Sequence, residues 1–206
     1  MNKNTIKIFS FVVGILSGVL AVCEIIRGLT RIDSIGVTNS SKFDTYIIIT
    51  IILAIALAVF LGIISYFLIK EYVSKQDETK HILYPAIIYF SYQIIHAIIT
   101  MCMWGFDASE MWLALIFGAA GLALIFVSLF AANVESKTKG ILLLIAFGLG
   151  FILSSYFLFN SNGFSILINL LYDALFVMLF LYYLFNMMDN GQLTSSNKEE
   201  KDSSLE

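Results

Sequence analysis

The stretch 84-YPAIIYFSYQIIHAIITMCMW-104 decides how this chain is to be understood. Its 21 residues contain no Asp, Glu, Lys or Arg, and a helix of that length spans about 30 Å, the thickness of a bilayer's hydrocarbon core. Pro85 falls in the first turn, where a missing N–H is tolerated. Yet the same stretch places Gln93 and His96 close to its middle. A long apolar helix with polar groups at mid-depth predicts a membrane span with something to hold.

Five further apolar runs surround it. The expected spans are 8–28, 46–69, 82–104, 111–132, 141–159 and 164–187, each about 19–25 residues long. An all-α, polytopic membrane protein with six transmembrane helices is therefore expected over residues 1–188. Composition agrees, because the 206 residues are 59% hydrophobic and only 13% charged, with a mean hydropathy of +0.89. Soluble domains carry about 25% charged residues, so a water-soluble fold could not hide this much apolar surface. Lys3 and Lys7 followed by an apolar run resemble a secretory signal. The run continues through Ile25 and Ile26, longer than a removed signal requires, so the first span is expected to be retained.

Charge sets the expected orientation. With the amino terminus inside, the inner segments hold Lys3, Lys7, Lys70, Lys75, Lys80, Lys137, Lys139, Lys198 and Lys201, against Arg27, Arg31 and Lys42 outside. Nine against three favours both termini in the cytoplasm of a cell-membrane protein. From Asp189 onward five acids face Lys198 and Lys201, a net −3 equal to that of the whole chain. Residues 189–206 thus read as a disordered acidic cytoplasmic tail, and the neutral remainder excludes a nucleic-acid partner. Lysines followed by Ile or Leu open the first, third and fifth spans, around Lys7, Lys80 and Lys139, as three hairpin units would. The 29–43 connection is long and polar enough for a lid, and equally for a solvated linker.

The residues able to carry chemistry are few. Asp173 lies nine residues beyond Phe164, roughly 13 Å below the outer boundary, where an acid costs about 2.5–3.5 kcal/mol to insert and should have a partner. Asn169 stands one turn away and Tyr172 is its neighbour. His96, eight residues before Trp104, falls at a matching depth, and Tyr89, Gln93, His96 and Thr100 form one polar stripe. If the third and sixth helices touch, His96 and Asp173 could pair as a ligand or proton site. Glu24 and Arg27, three apart, form an expected ion pair near the outer interface. Polar groups thus gather in the outer half, as in a pocket open to the outside. The same groups serve equally well as packing glue, worth about 0.6 kcal/mol each.

Small residues mark helix contacts: Gly14 and Gly18 in the first helix, Ala54, Ala58 and Gly62 in the second, Ala119 and Ala123 in the fourth, Ala146 and Gly150 in the fifth. Cys23 and Cys102 have neither metal-knuckle nor redox spacing, and no cofactor or metal is expected. An intramembrane aspartyl protease needs two aspartates where only Asp173 is available, and a G-x-S turn is absent, so an enzyme is not expected.

Two functions follow. One is transport or binding of a small solute or proton at the polar pocket. The other is a non-catalytic accessory, immunity or sensory subunit acting through helix contacts with a membrane partner or a second copy. In layout the chain is similar to the substrate-binding subunits of energy-coupling-factor transporters: six helices, both ends inside, a long first outer loop and small residues along helix one. Its single proline departs from that family. The resemblance implies solute binding.

Overall fold

The computed structural model describes residues 3–37, 40–74, 81–106, 109–132 and 134–189. Its elements are helices α1 Lys3–Thr30, α2 Ser41–Val73, α3 Tyr84–Trp104, α4 Ser109–Phe130, α5 Ser136–Phe159 and α6 Phe164–Asp189, with one 3-10 turn at Ile32–Ser34. All six are long and apolar enough to span a membrane. The acidic tail, apart from Asp189, lies outside the described residues, as do Lys75 and Lys80.

Local signals set the ends. Ser40 caps α2 by accepting the Phe43 N–H at 3.4 Å, and Asp44 follows in the first turn, where a negative charge meets the helix dipole. Pro85 stands in the first turn of α3, and Gly105, at φ +97°, closes the helix by donating its N–H to the Met101 carbonyl. Part of the connection after α1 is held against the bundle. Its 3-10 turn packs on α1 and α2 without burying a residue, and the Gly36 N–H donates to the Asp44 carboxylate at 2.8 Å.

Each helix packs on its sequence neighbours, and α1 against α6 closes the ring. Short connections make neighbours antiparallel. In α1 and α2 the small residues face each other. A side chain on Gly14 would meet Leu68 and Ile69, one on Gly18 would meet Ser65, one on Gly62 would touch Ala21, and one on Gly28 would touch Ala54. Ala54 and Ala58 are buried on the same face. These ladders are used inside the bundle, letting two backbones approach as small residues do in membranes. The fourth-helix pair differs from expectation. Ala119 and Ala123 are exposed, and Ala114, Gly118 and Gly121 form the packed face instead.

The centre is aromatic. Tyr89 and Phe90 of α3 reach Tyr172 and Phe176 of α6, with ring centroids 4.6–5.6 Å apart for Tyr89–Tyr172, Tyr89–Phe176 and Phe90–Phe176. Rings, rather than backbones, therefore join α3 to α6. Two glycines provide seats for them. A Cβ at Gly121 would fall 2.4 Å from the Phe90 ring, and one at Gly150 would fall 2.3 Å from the Phe176 ring. Outward faces carry Val22, Ile52, Val59, Phe60, Ile116, Phe130, Ile152 and Leu170, all more than half exposed. A surface this apolar around a whole ring belongs in lipid.

Candidate functional site

The bundle has two ends. The connections after α1, α3 and α5 lie at one, here the loop end; the first residues of α1 and the last of α6 lie at the other, here the terminal end. Polar side chains meet between the middle of the bundle and the loop end.

Glu24 and Arg27 share one face of α1. Arg27 Nη2 lies 2.5 Å from Glu24 Oε2 and donates to the Tyr92 hydroxyl at 2.7 Å, while the Tyr172 hydroxyl donates to Glu24 Oε1 at 3.2 Å. The Glu24 side chain has no exposed surface, and that of Arg27 is 15% exposed. The ion pair is a contact of charges without aligned hydrogen-bond geometry, so Glu24 Oε2 and Arg27 Nε have no hydrogen-bond partner. Three helices, α1, α3 and α6, are tied at this point.

The pair lies further into the bundle than its place near the end of α1 suggests. Arg27 is close to the end of α1 but bonds Tyr92, twelve residues before the end of α3 at Trp104, or about 18 Å along the axis. The reason is the length of α2. Gly28 packs on Ala54, thirteen residues into α2, so α2 rises well beyond the last turn of α1. Counting back from the end of α1 alone therefore underestimates how deep the pair lies.

Asp173 is 7% exposed and meets α5. Ser154 Oγ donates to its Oδ1, and Ser155 Oγ lies 3.1 and 3.2 Å from Oδ1 and Oδ2. The Tyr89 hydroxyl, on a fully buried residue, faces Gln93 and Ser154. Gln93 is buried beside it at 7%. Asp173, Gln93 and Tyr172 thus gather around Tyr89.

His96 does not join them. Its ring stacks on Tyr92 with centroids 5.8 Å apart, and the expected His96–Asp173 pair is replaced by Asp173 bonding the α5 serines. The aromatic bridge holds α3 and α6 apart, while α5 lies directly against α6. Asn169 also turns away, donating to Ser161 Oγ at 2.7 Å across the α5–α6 connection. Tyr92, which joins Arg27 to the His96 ring, gave no warning in sequence beyond its place among apolar residues.

A second cluster lies at the terminal end. Glu71, 6% exposed, pairs with His81 Nδ1, and the His81 ring stacks on Phe67 at 5.0 Å and lies 5.4 Å from Tyr84. An acid in the last turn of a helix opposes the dipole, so Glu71 carried a signal that a partner was needed. Glu71 Oε2 is buried without a hydrogen-bond partner. His81→Ala should therefore lower stability by about 1–3 kcal/mol, the cost of leaving a buried acceptor unmet. Thermal unfolding in detergent checks this; an unchanged midpoint would mean that Glu71 is hydrated.

A groove of about 340 Å³ opens between α2 and α3, lined mainly by Leu53, Leu57, Phe60, Ile88 and Ile95, with Ser91 and Tyr92 its polar members. It touches the polar centre through Tyr92. The centre is packed by rings and hydroxyls, which suits a very small occupant better than a bulky solute.

Compared with models of known families, with curated proteins and with solved structures, the chain matches none.

Proposed function

We propose that this chain is a multi-pass membrane protein that binds or transports a proton or a small solute at the buried polar centre formed by α1, α3, α5 and α6. The observation that carries this is a charge count. Glu24, Arg27 and Asp173 are held inside the bundle, and Arg27 is committed to Glu24. Asp173 has hydroxyl partners but no cationic one among the described residues. Ionisable groups inside membranes are costly, and they mark ion and substrate pathways more often than packing. Glue explains serines well and an uncompensated carboxylate poorly.

The lysine distribution supports a terminal end in the cytoplasm and a polar centre reached from the outside of the cell membrane. The accessory-subunit reading draws less support, because the Gly14–Gly18 and Ala54–Gly62 ladders are occupied by each other. The test is flux in proteoliposomes, followed with a pH-sensitive dye inside the vesicles. Wild type should pass protons or a co-transported solute, and Asp173→Asn should abolish that movement while still inserting and eluting as a folded species. Equal flux in both proteins, or none in wild type across a solute panel, would transfer support to the accessory role.

A further inference from the structure

We propose that the terminal end of α2 holds a phospholipid headgroup of the ethanolamine class, its ammonium on Glu71 and its phosphate at Lys70. This site stands apart from the polar centre, and neither reading depends on the other.

The cavity comes first. A pocket of about 160 Å³ lies where α2 ends and the chain enters α3, lined by Phe67, Lys70, Glu71, Ser74 and His81. Pockets for drug-sized ligands run to about 300–1,000 Å³, so this one admits a small headgroup and little more. Its place is the edge of the bilayer. Lys70 and Ser74 are exposed, and beside them Tyr66 and Val73 are 61% and 71% exposed. Exposed tyrosines at the end of an apolar helix stand at the level of lipid headgroups. Below the pocket, Phe67, Ile63 and Phe60 follow one outward face of α2, all exposed. Acyl chains of a lipid held at Glu71 would run along that face.

The pocket also contains a group that lacks a partner. Glu71 is 6% exposed; His81 Nδ1 meets its Oε1, while Oε2 is buried with no hydrogen-bond partner. A carboxylate oxygen only accepts, so what completes it is a donor or a cation. A transition metal is poorly served here. Glu71 and His81 supply two ligands where protein metal sites use three or four, and among the described residues no group of three metal-binding side chains occurs.

Charge and hydrogen bonding then select the headgroup. The Phe67 ring lines the same pocket, and aromatic faces attract ammonium groups. Lys70, next to Glu71 in the chain, brings positive charge to the rim, with its ammonium 5.9 Å from the exposed Tyr66 ring. An acid within and a lysine at the mouth complement a zwitterion whose ammonium points inward and whose phosphate stays outside. Choline has no N–H to offer Glu71 Oε2. Serine would bring a second carboxylate against the first, and glycerol carries no positive charge. Ethanolamine supplies both the N–H and the charge.

The experiment uses the purified full chain in detergent micelles, with one dioleoyl lipid added at increasing mole fraction. Thermal unfolding is followed for phosphatidylethanolamine, phosphatidylcholine and phosphatidylglycerol in parallel. Phosphatidylethanolamine should raise the midpoint as a ligand of the native state does, and the other two should not. Glu71→Gln, which keeps the shape and removes the charge, should raise the half-effective mole fraction roughly tenfold, equivalent to about 1.4 kcal/mol. Lys70→Gln, at an exposed position, should raise it about threefold, the scale of a surface charge pair. Should Glu71→Gln fail to fold, Lys70→Gln still decides. Equal stabilisation by the ethanolamine and choline lipids would overturn the proposal, as would a midpoint indifferent to all three, which would leave the pocket to water. An ethanolamine response unchanged in either variant would overturn the site. Glycerophosphoethanolamine, the soluble headgroup, separates lipid from solute: a response to it as strong as that to the lipid would overturn the lipid as occupant. Flux through the polar centre does not enter this test, so either reading can fail alone.

Discussion

Arg27→Met is expected to destabilise the protein by about 3–5 kcal/mol, because it strands the Glu24 carboxylate in the bundle interior. The guanidinium supplies Glu24's counter-charge at 2.5 Å and the donor to Tyr92 at 2.7 Å. Once it is gone, Glu24 keeps one hydroxyl, that of Tyr172. The surroundings offer no relief, since Glu24 has no exposed surface through which water could reach it. Removing one member of a buried pair costs far more than removing both, because the penalty is mostly the orphaned charge rather than the lost attraction. The double variant Glu24→Gln, Arg27→Met should therefore recover most of the stability lost in the single one. Denaturant or thermal unfolding of the four proteins in one detergent measures the coupling. If the single variant melts within about 0.5 kcal/mol of wild type, the pair is hydrated and the depth inferred from Tyr92 is wrong.

The same pair marks the boundary of what the sequence makes legible. Six spans were legible because apolar runs of bilayer length are dictated by hydrocarbon thickness, and α3 and α6 begin or end where their polar flanks say. That Glu24 and Arg27 meet follows from their spacing on one helix. Their depth does not, because it depends on how far α2 overshoots α1, a property of two helices together. Likewise, equal depths for His96 and Asp173 could be counted along each helix. Which neighbour each would face could not, since that depends on the order of helices around the ring. With α5 against α6 and aromatic rings between α6 and α3, Asp173 meets Ser154 and Ser155 while His96 stacks on Tyr92. The small-residue ladders were legible as contacts, but not their purpose. Gly14 and Gly18 admit a neighbouring helix, whereas Gly121 and Gly150 admit rings.

That last distinction yields a prediction that separates two glycines on one helix. Gly150→Ala should be destabilising, by up to about 2 kcal/mol net, and Gly148→Ala should not. A Cβ at position 150 would sit 2.3 to 2.6 Å from three carbons of the Phe176 ring, closer than real contacts allow, while one at position 148 would meet nothing within 4 Å. The Phe176 ring cannot step aside cheaply, because Tyr89 packs on it at 5.0 Å and Phe90 at 5.6 Å, and all three residues are fully buried. Overpacking of this kind costs about 1–3 kcal/mol, more than the roughly 1 kcal/mol that Ala gains over Gly in a helix interior. At position 148 only the gain remains, so that variant should melt at or slightly above wild type. Phe176→Leu in the Gly150→Ala background should restore part of the loss by giving the new methyl room, and the cycle of four proteins isolates that coupling. The consequence reaches the polar centre, because Phe176 supports the ring of Tyr89 whose hydroxyl faces Gln93 and Ser154. Equal melting of the two alanine variants would show that α5 and α6 stand farther apart than this packing requires, and Asp173 would then lose its hold on the serines as well.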